Sequence, residues 1–221
     1  MIDLQKVQDA KHIVLRCDKD TFSHANAIYS YLLSLHKKVS LTTEDKIEKR
    51  FSFLPWFDKA RMTTPSSADY QIDVDSDLFG IVDFFKSHNI KLNRKMATSL
   101  YSALILEFDN FQSSRCDGIT FALASELIAA GAEHQLCREM LTRREPLSRY
   151  RLRANLYANM QLQENAKCAT LFISEEILDA TGAELEDVYL VMDETLKLVN
   201  IESVELFCND KNKIIKLIKD I

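Results

Sequence analysis

The segment from His12 to Ser34 does most to limit what this chain can fold into. His12-Ile13-Val14-Leu15-Arg16-Cys17 is a short apolar run with β-branched residues, and Ala25 to Ser34 places apolar residues at helical spacing. Between them, Asp18-Lys19-Asp20 interrupts the pattern with two carboxylates at i and i+2. The change of period predicts a strand, an acidic loop and a helix. That unit builds open α/β sheets, whose ligand chemistry sits at the C-terminal ends of the strands. Two carboxylates one residue apart also suit a hard divalent cation.

The rest of the chain extends this unit. An opening helix is expected over 1–11. A helix over 24–36 ends in His36-Lys37-Lys38, cations that suit the negative end of the helix dipole. Val39 to Thr43 alternates as a second strand, so the opening reads βαβ and the sheet is expected to be parallel. Tyr70 to Asp75 alternates as a third strand and also runs into acid, at Asp73, Asp75 and Asp77. Parallel strands that end in carboxylates can gather them in space, as metal-assisted hydrolysis requires. Helices follow over 78–87, with Ser76 or Asp77 as cap, over 94–108 behind Asn93, over 119–130 ahead of Gly131, and over 137–141.

Residues 142–165 change character. Arg143, Arg144, Arg149, Arg151 and Arg153 fall among Leu147, Leu152, Leu156 and Tyr157. The stretch reads as a linker helix between domains. The alternative is a phosphate-facing helix, because the guanidinium fork matches phosphate; Arg149, Arg151 and Arg153 are then the candidate substrate-binding residues. Beyond it come a strand at 168–173, a short helix capped by Ser174, and a helix at 185–199. Strands at 204–208 and 214–218 are joined by the turn Asn209-Asp210-Lys211-Asn212. The expected division is a core at 1–141, a linker at 142–165 and a small α/β domain at 166–221.

Totals bound the function. A net charge of −5 argues against a broad footprint for long nucleic acid. No apolar run approaches the roughly 18 residues of a membrane span, and no signal-peptide core precedes the first helix, so a cytoplasmic protein is expected. With four Gly, neither a dinucleotide-binding fingerprint nor a P-loop can be written. The five Cys are odd in number and widely spaced, which fits core thiols better than a zinc site or disulfides. The aromatic run Phe51 to Phe57 reads as a short helix packed at the sheet edge, in preference to a base-stacking platform.

In order, these motifs resemble the DHH-family phosphoesterases with a DHH-associated C-terminal domain, of the bacterial oligoribonuclease (nanoRNase) and pAp-phosphatase type. The resemblance rests on Asp18-Lys19-Asp20, on Ala25-Asn26-Ala27-Ile28-Tyr29, on Ala68 to Asp75, on Met96 to Ala103 and on Phe111 to Gly131. It implies a shortened parallel Rossmann-like core with flanking helices, a small α/β C-terminal domain and, in the intact family, a two-manganese centre. Mapped onto this chain, the ligands would be Asp18, Asp20, Asp75 (with Asp73 second) and Glu107. The pattern departs from the family in several places. Val14 stands where the family has its first His, and His12 is two residues too early. Lys19 replaces a Gly, the Asp-His-His segment is absent, and the Gly-rich substrate loop of the second domain is not found.

These departures imply loss of catalysis, with no resident cofactor, and a role in binding, as an adaptor or in regulation. Such a protein would hold a protein partner, a second copy of itself, or a short nucleotide. The alternative is a phosphoesterase acting on short oligonucleotides, cyclic dinucleotides or pAp. It would use Mn²⁺ or Mg²⁺ on a carboxylate-only site, with His24 as a replacement nitrogen ligand and the Arg cluster facing phosphate. An apolar surface for a partner is expected near Trp56.

Overall fold

The computed structural model describes residues 2–143, 145–208 and 213–218. The chain divides into two compact units, Met1–Arg144 and Glu145–Ile221.

The first unit opens with α1 (Leu4–Asp9) and β1 (His12–Cys17). Next come α2 (Phe22–Ser34) and β2 (Lys38–Thr43), then two 3-10 turns and the two-residue β3 (Ala60–Arg61). β4 (Tyr70–Asp73), α3 (Leu78–Ser87), α4 (Arg94–Glu107), α5 (Gly118–Ala129) and α6 (His134–Arg138) complete it, with a wide helical turn over Glu139–Arg143. The strand order is β3-β2-β1-β4, and every pairing is parallel. β1 is central and buried along almost its whole length, which explains its near-continuous apolar sequence.

α2 and α4 pack on one another and are buried on nearly all sides. Their small residues, among them Ala25, Ala27, Ala97 and Ala103, suit close approach. Their hydroxyls are satisfied locally: Ser30 donates to Asn26 O at 2.9 Å and Ser102 to Thr98 O at 3.0 Å. Asn26 is buried and bonds through both ends of its amide. Its amide donates to Phe22 O at 3.0 Å, and its Oδ1 accepts the Trp56 N–H at 3.0 Å. The aromatic run is spent on this same packing. Phe51 meets Phe22 edge-on at 5.7 Å, Trp56 packs on Tyr29 at 5.2 Å, and the Trp56 indole donates to Ser30 Oγ at 2.7 Å. Two 3-10 turns replace the short helix expected there, and Trp56 is half-buried rather than presented outward.

The second unit contains α7 (Leu147–Ala158), β5 (Gln161–Gln163), β6 (Cys168–Ile173), α8 (Glu175–Thr181), α9 (Leu185–Leu196), β7 (Ser203–Cys208) and β8 (Lys213–Ile218). Its sheet runs β5-β6-β7-β8, parallel at β6–β7 and antiparallel at both edges. The stretch expected to be a linker folds inside this unit: Leu152 and Leu156 of α7 are wholly buried in its core. The turn at 209–212, and Arg144, lie outside the described residues. Among the described residues no helix is long and apolar enough to cross a membrane.

Candidate functional site

β1 delivers Asp18, Lys19 and Asp20 to the C-terminal edge of the first sheet, as its apolar pattern requires. Asp18 is occupied by the turn itself. Its Oδ1 accepts from Asp20 N at 3.0 Å, Thr21 N at 2.8 Å and Thr21 Oγ1 at 2.7 Å, while Asp18 N donates to Thr21 Oγ1 at 3.0 Å. Burial opposes ionisation of Asp18, but the hydrogen bonds from Thr21 and Asp20 outweigh it and hold the carboxyl below its usual range. An aspartate used in this way opens α2 in place of Thr21, whose own side chain makes no cap bond.

The four acids singled out by the sequence line different hollows along this edge, though Asp18 and Asp75 both act on the charge of His24. Asp18 faces a hollow shared with Arg16, Glu44 and Asp73. Asp75 and Asp77 line a narrow apolar hollow between β4 and α3, with Ile28, Ile72 and Ile81. Asp77 caps α3 through Gly80 N at 2.8 Å, and Asp75 accepts from Asp77 N at 3.2 Å. Asp20 and Glu107 do meet, in a third hollow. Among the described residues no group of three or more His, Cys, Asp and Glu side chains is arranged to hold a metal ion. The two-metal centre of the resembled family needs donors closing on two ions about 3.5–4 Å apart. His12 offers no substitute. It lies at the opposite end of β1 with both ring nitrogens engaged, to Ser67 Oγ and Ser40 Oγ at 2.9 Å each.

The third hollow, with a volume of about 410 Å³, has a different character. Lys19, Arg50 and Arg115 line it with Asp20, His24 and Glu107; Phe51, Ala103 and Leu106 supply an apolar wall. His24, on the first turn of α2, is 4% exposed, and neither ring nitrogen has a hydrogen-bond partner among the described residues. Burial pushes its pKa down to about 4, against the pull of Asp75, Asp77 and Asp18, so the ring is neutral near pH 7. Glu107 Oε2 is likewise buried without a partner. Burial raises the Glu107 carboxyl above its usual range, Asp77 adds to this, and Arg115 opposes it.

Arg115 donates to Glu107 O at 2.7 Å and lies over the Phe108 ring at 5.3 Å. A left-handed turn at Asp109, Asn110 and Phe111, with φ values of 45°, 53° and 66°, precedes it. Arg50 bonds Glu48 at 2.9 Å, while its buried Nε has no partner among the described residues. Neither Arg50 nor Arg115 belongs to a local sequence pattern, and each reaches the hollow through tertiary packing alone.

The candidate arginines of α7 are engaged within the second unit. Arg153 makes a bidentate pair with Glu194, at 2.7 and 2.6 Å, and reaches Glu145 at 3.1 Å. Arg149 contacts Asp187 at 2.8 Å. Arg151 is exposed. Of Arg143 only the backbone is described.

No family model and no curated protein matches the chain. Among solved structures, an exopolyphosphatase-related protein of Bacteroides fragilis is similar at 12% identity and a TM-score of 0.77, covering 99% of this chain and 82% of its own. A Methanococcus jannaschii protein, described provisionally as a family II inorganic pyrophosphatase, matches at 15% identity with a TM-score of 0.34, over 89% of this chain and 83% of its own. The first likeness shows the fold, a DHH-like α/β arrangement with a second small sheet.

Proposed function

We propose that this chain is a DHH-fold protein that does not run the metal-dependent hydrolysis of the family it resembles, and that it acts by binding. The observation that supports this reading is that, among the described residues, Asp18, Asp20, Asp75 and Glu107 do not form a group of three or more donors arranged to hold a metal ion. Metal-activated hydroxide requires a donor set that lowers the pKa of bound water and holds both ions at once. Here Asp18 closes a helix-opening turn, Asp77 caps α3, and Glu107 is drawn toward its neutral form beside Arg115. Lys19 places a cation between the two acids of the first motif.

The competing reading keeps catalysis on a carboxylate-only site, and Asp20, His24 and Glu107 on one cavity are the observation in its favour. One experiment separates the two. Hydrolysis of a dinucleotide and of pAp is assayed with Mn²⁺ and with Mg²⁺, beside an Asp18→Ala/Asp20→Ala variant. The binding reading predicts no metal-dependent turnover above background. Turnover that the double variant abolishes would overturn it.

A further inference from the structure

We infer that the hollow lined by Lys19, His24, Arg50, Glu107 and Arg115 is a metal-independent phosphate-binding site, suited to a phosphomonoester with a small apolar body. This rests on the reading above that no metal centre occupies the same edge of the sheet.

Three independent features meet there. The first is charge: three cations line a cavity that holds one exposed carboxylate, Asp20, and one half-buried carboxyl, Glu107. Arg50 and Arg115 keep further N–H donors beyond their present bonds, since each guanidinium carries five. The second is the start of α2. Lys19, Asp20 and His24 bring its first turn to the cavity, while the Asp18 carboxylate closes the turn that opens the helix. The third is His24 itself, a buried ring on the cavity wall with two unpartnered nitrogens. Leaving buried polar atoms unpaired costs roughly 1–3 kcal/mol each, a cost that a ligand's hydrogen bonds remove.

The volume of about 410 Å³ lies within the range of small-molecule sites and exceeds what a bare phosphate fills. The remaining wall, Phe51, Ala103 and Leu106, is apolar. A phosphate among the cations with a ring or short chain against that wall uses both parts of the lining.

Isothermal titration in EDTA tests this, with inorganic phosphate and phenyl phosphate as probes, on the wild type, Lys19→Glu and Arg50→Met. Lys19 is exposed, so its replacement leaves the core intact; circular dichroism and thermal melts check both variants. The expected result is saturable binding of both probes, tighter for phenyl phosphate. Binding should weaken as NaCl is raised, and roughly tenfold or more in each variant, the worth of one charge-assisted hydrogen bond. Absence of binding in EDTA overturns the inference while leaving the non-catalytic reading in place. Equal affinity in wild type and both variants also overturns it. Binding that requires Mn²⁺ overturns both readings.

Discussion

His24 is the residue on which the most measurable consequences hang. Its folded-state pKa of about 4 lies below the unfolded value near 6.5, so on acidification the unfolded chain takes up the proton first. Stability is therefore highest above about pH 6.5 and is lost as pH falls toward 4, by about 3 kcal/mol from this group. Urea midpoints measured from pH 7 to pH 4 should show that loss in the wild type and a smaller one in His24→Gln. Burial acts on two thiols in the opposite sense for reactivity: it raises Cys17 to about 12 and Cys137 to about 11. Dithionitrobenzoate at pH 8 is thus expected to leave both unmodified until the protein is unfolded. Asp18 shows how a motif can mislead. Asp at i with Thr at i+3 is a helix-opening pattern as much as a ligand pattern, and the three hydrogen bonds accepted by Asp18 Oδ1 show which use prevails. Asp18→Ala should lower stability by about 1 kcal/mol, read from chemical denaturation.

At the scale of elements, what was legible followed from strong local patterns. β1 over 12–17 and α3 over 78–87 could be read to the residue, because an apolar run ends at a carboxylate loop in one and Asp77 caps a clean apolar stripe in the other. β3 and β5 could not be read, having two and three residues and no alternation, and β5 is exposed throughout. The role of α7 was hidden for a different reason: its arginines suggested an outward phosphate face, and their partners lie on α9, more than thirty residues away in sequence. Asp187 and Glu194, spaced i and i+7, meet Arg149 and Arg153, spaced i and i+4. Arg153→Met should destabilise the second unit by about 1–2 kcal/mol, because it strands Glu194 and Glu145 in a half-buried setting. Arginine-to-methionine at exposed Arg151 should be neutral in the same melt. The left-handed turn at 109–111 was equally illegible, since it relies on Phe111 stacking against Phe121 at 5.6 Å to offset its backbone strain. Asn110→Gly, which relieves that strain without touching the stack, should raise stability by up to about 1 kcal/mol.

At the scale of the whole molecule, the fold is DHH-like, and the C-terminal edge of the first sheet carries cations beside its acids. Helix order, the acidic first loop and the parallel β1–β2 pairing could be anticipated from periodicity and resemblance; the strand order could not, since β3 has only two residues. Nor could the cavity, because Arg50 lies within a 3-10 turn, Arg115 follows a left-handed one, and His24 matters for its burial rather than its spacing. Three cations, a neutral imidazole and a half-buried carboxyl line the proposed anion site beside the exposed Asp20, while Asp18 closes the turn that opens α2. The proposed binding role stands on the absence of a two-metal centre at this edge. Electron paramagnetic resonance of Mn²⁺ titrated into the full chain tests it most directly, because the six-line signal of the hydrated ion is lost on binding to protein carboxylates. The account predicts that the signal grows in proportion to added Mn²⁺ from the first aliquot; suppression of the signal over the first two equivalents, reversed in Asp18→Ala/Asp20→Ala, would contradict it.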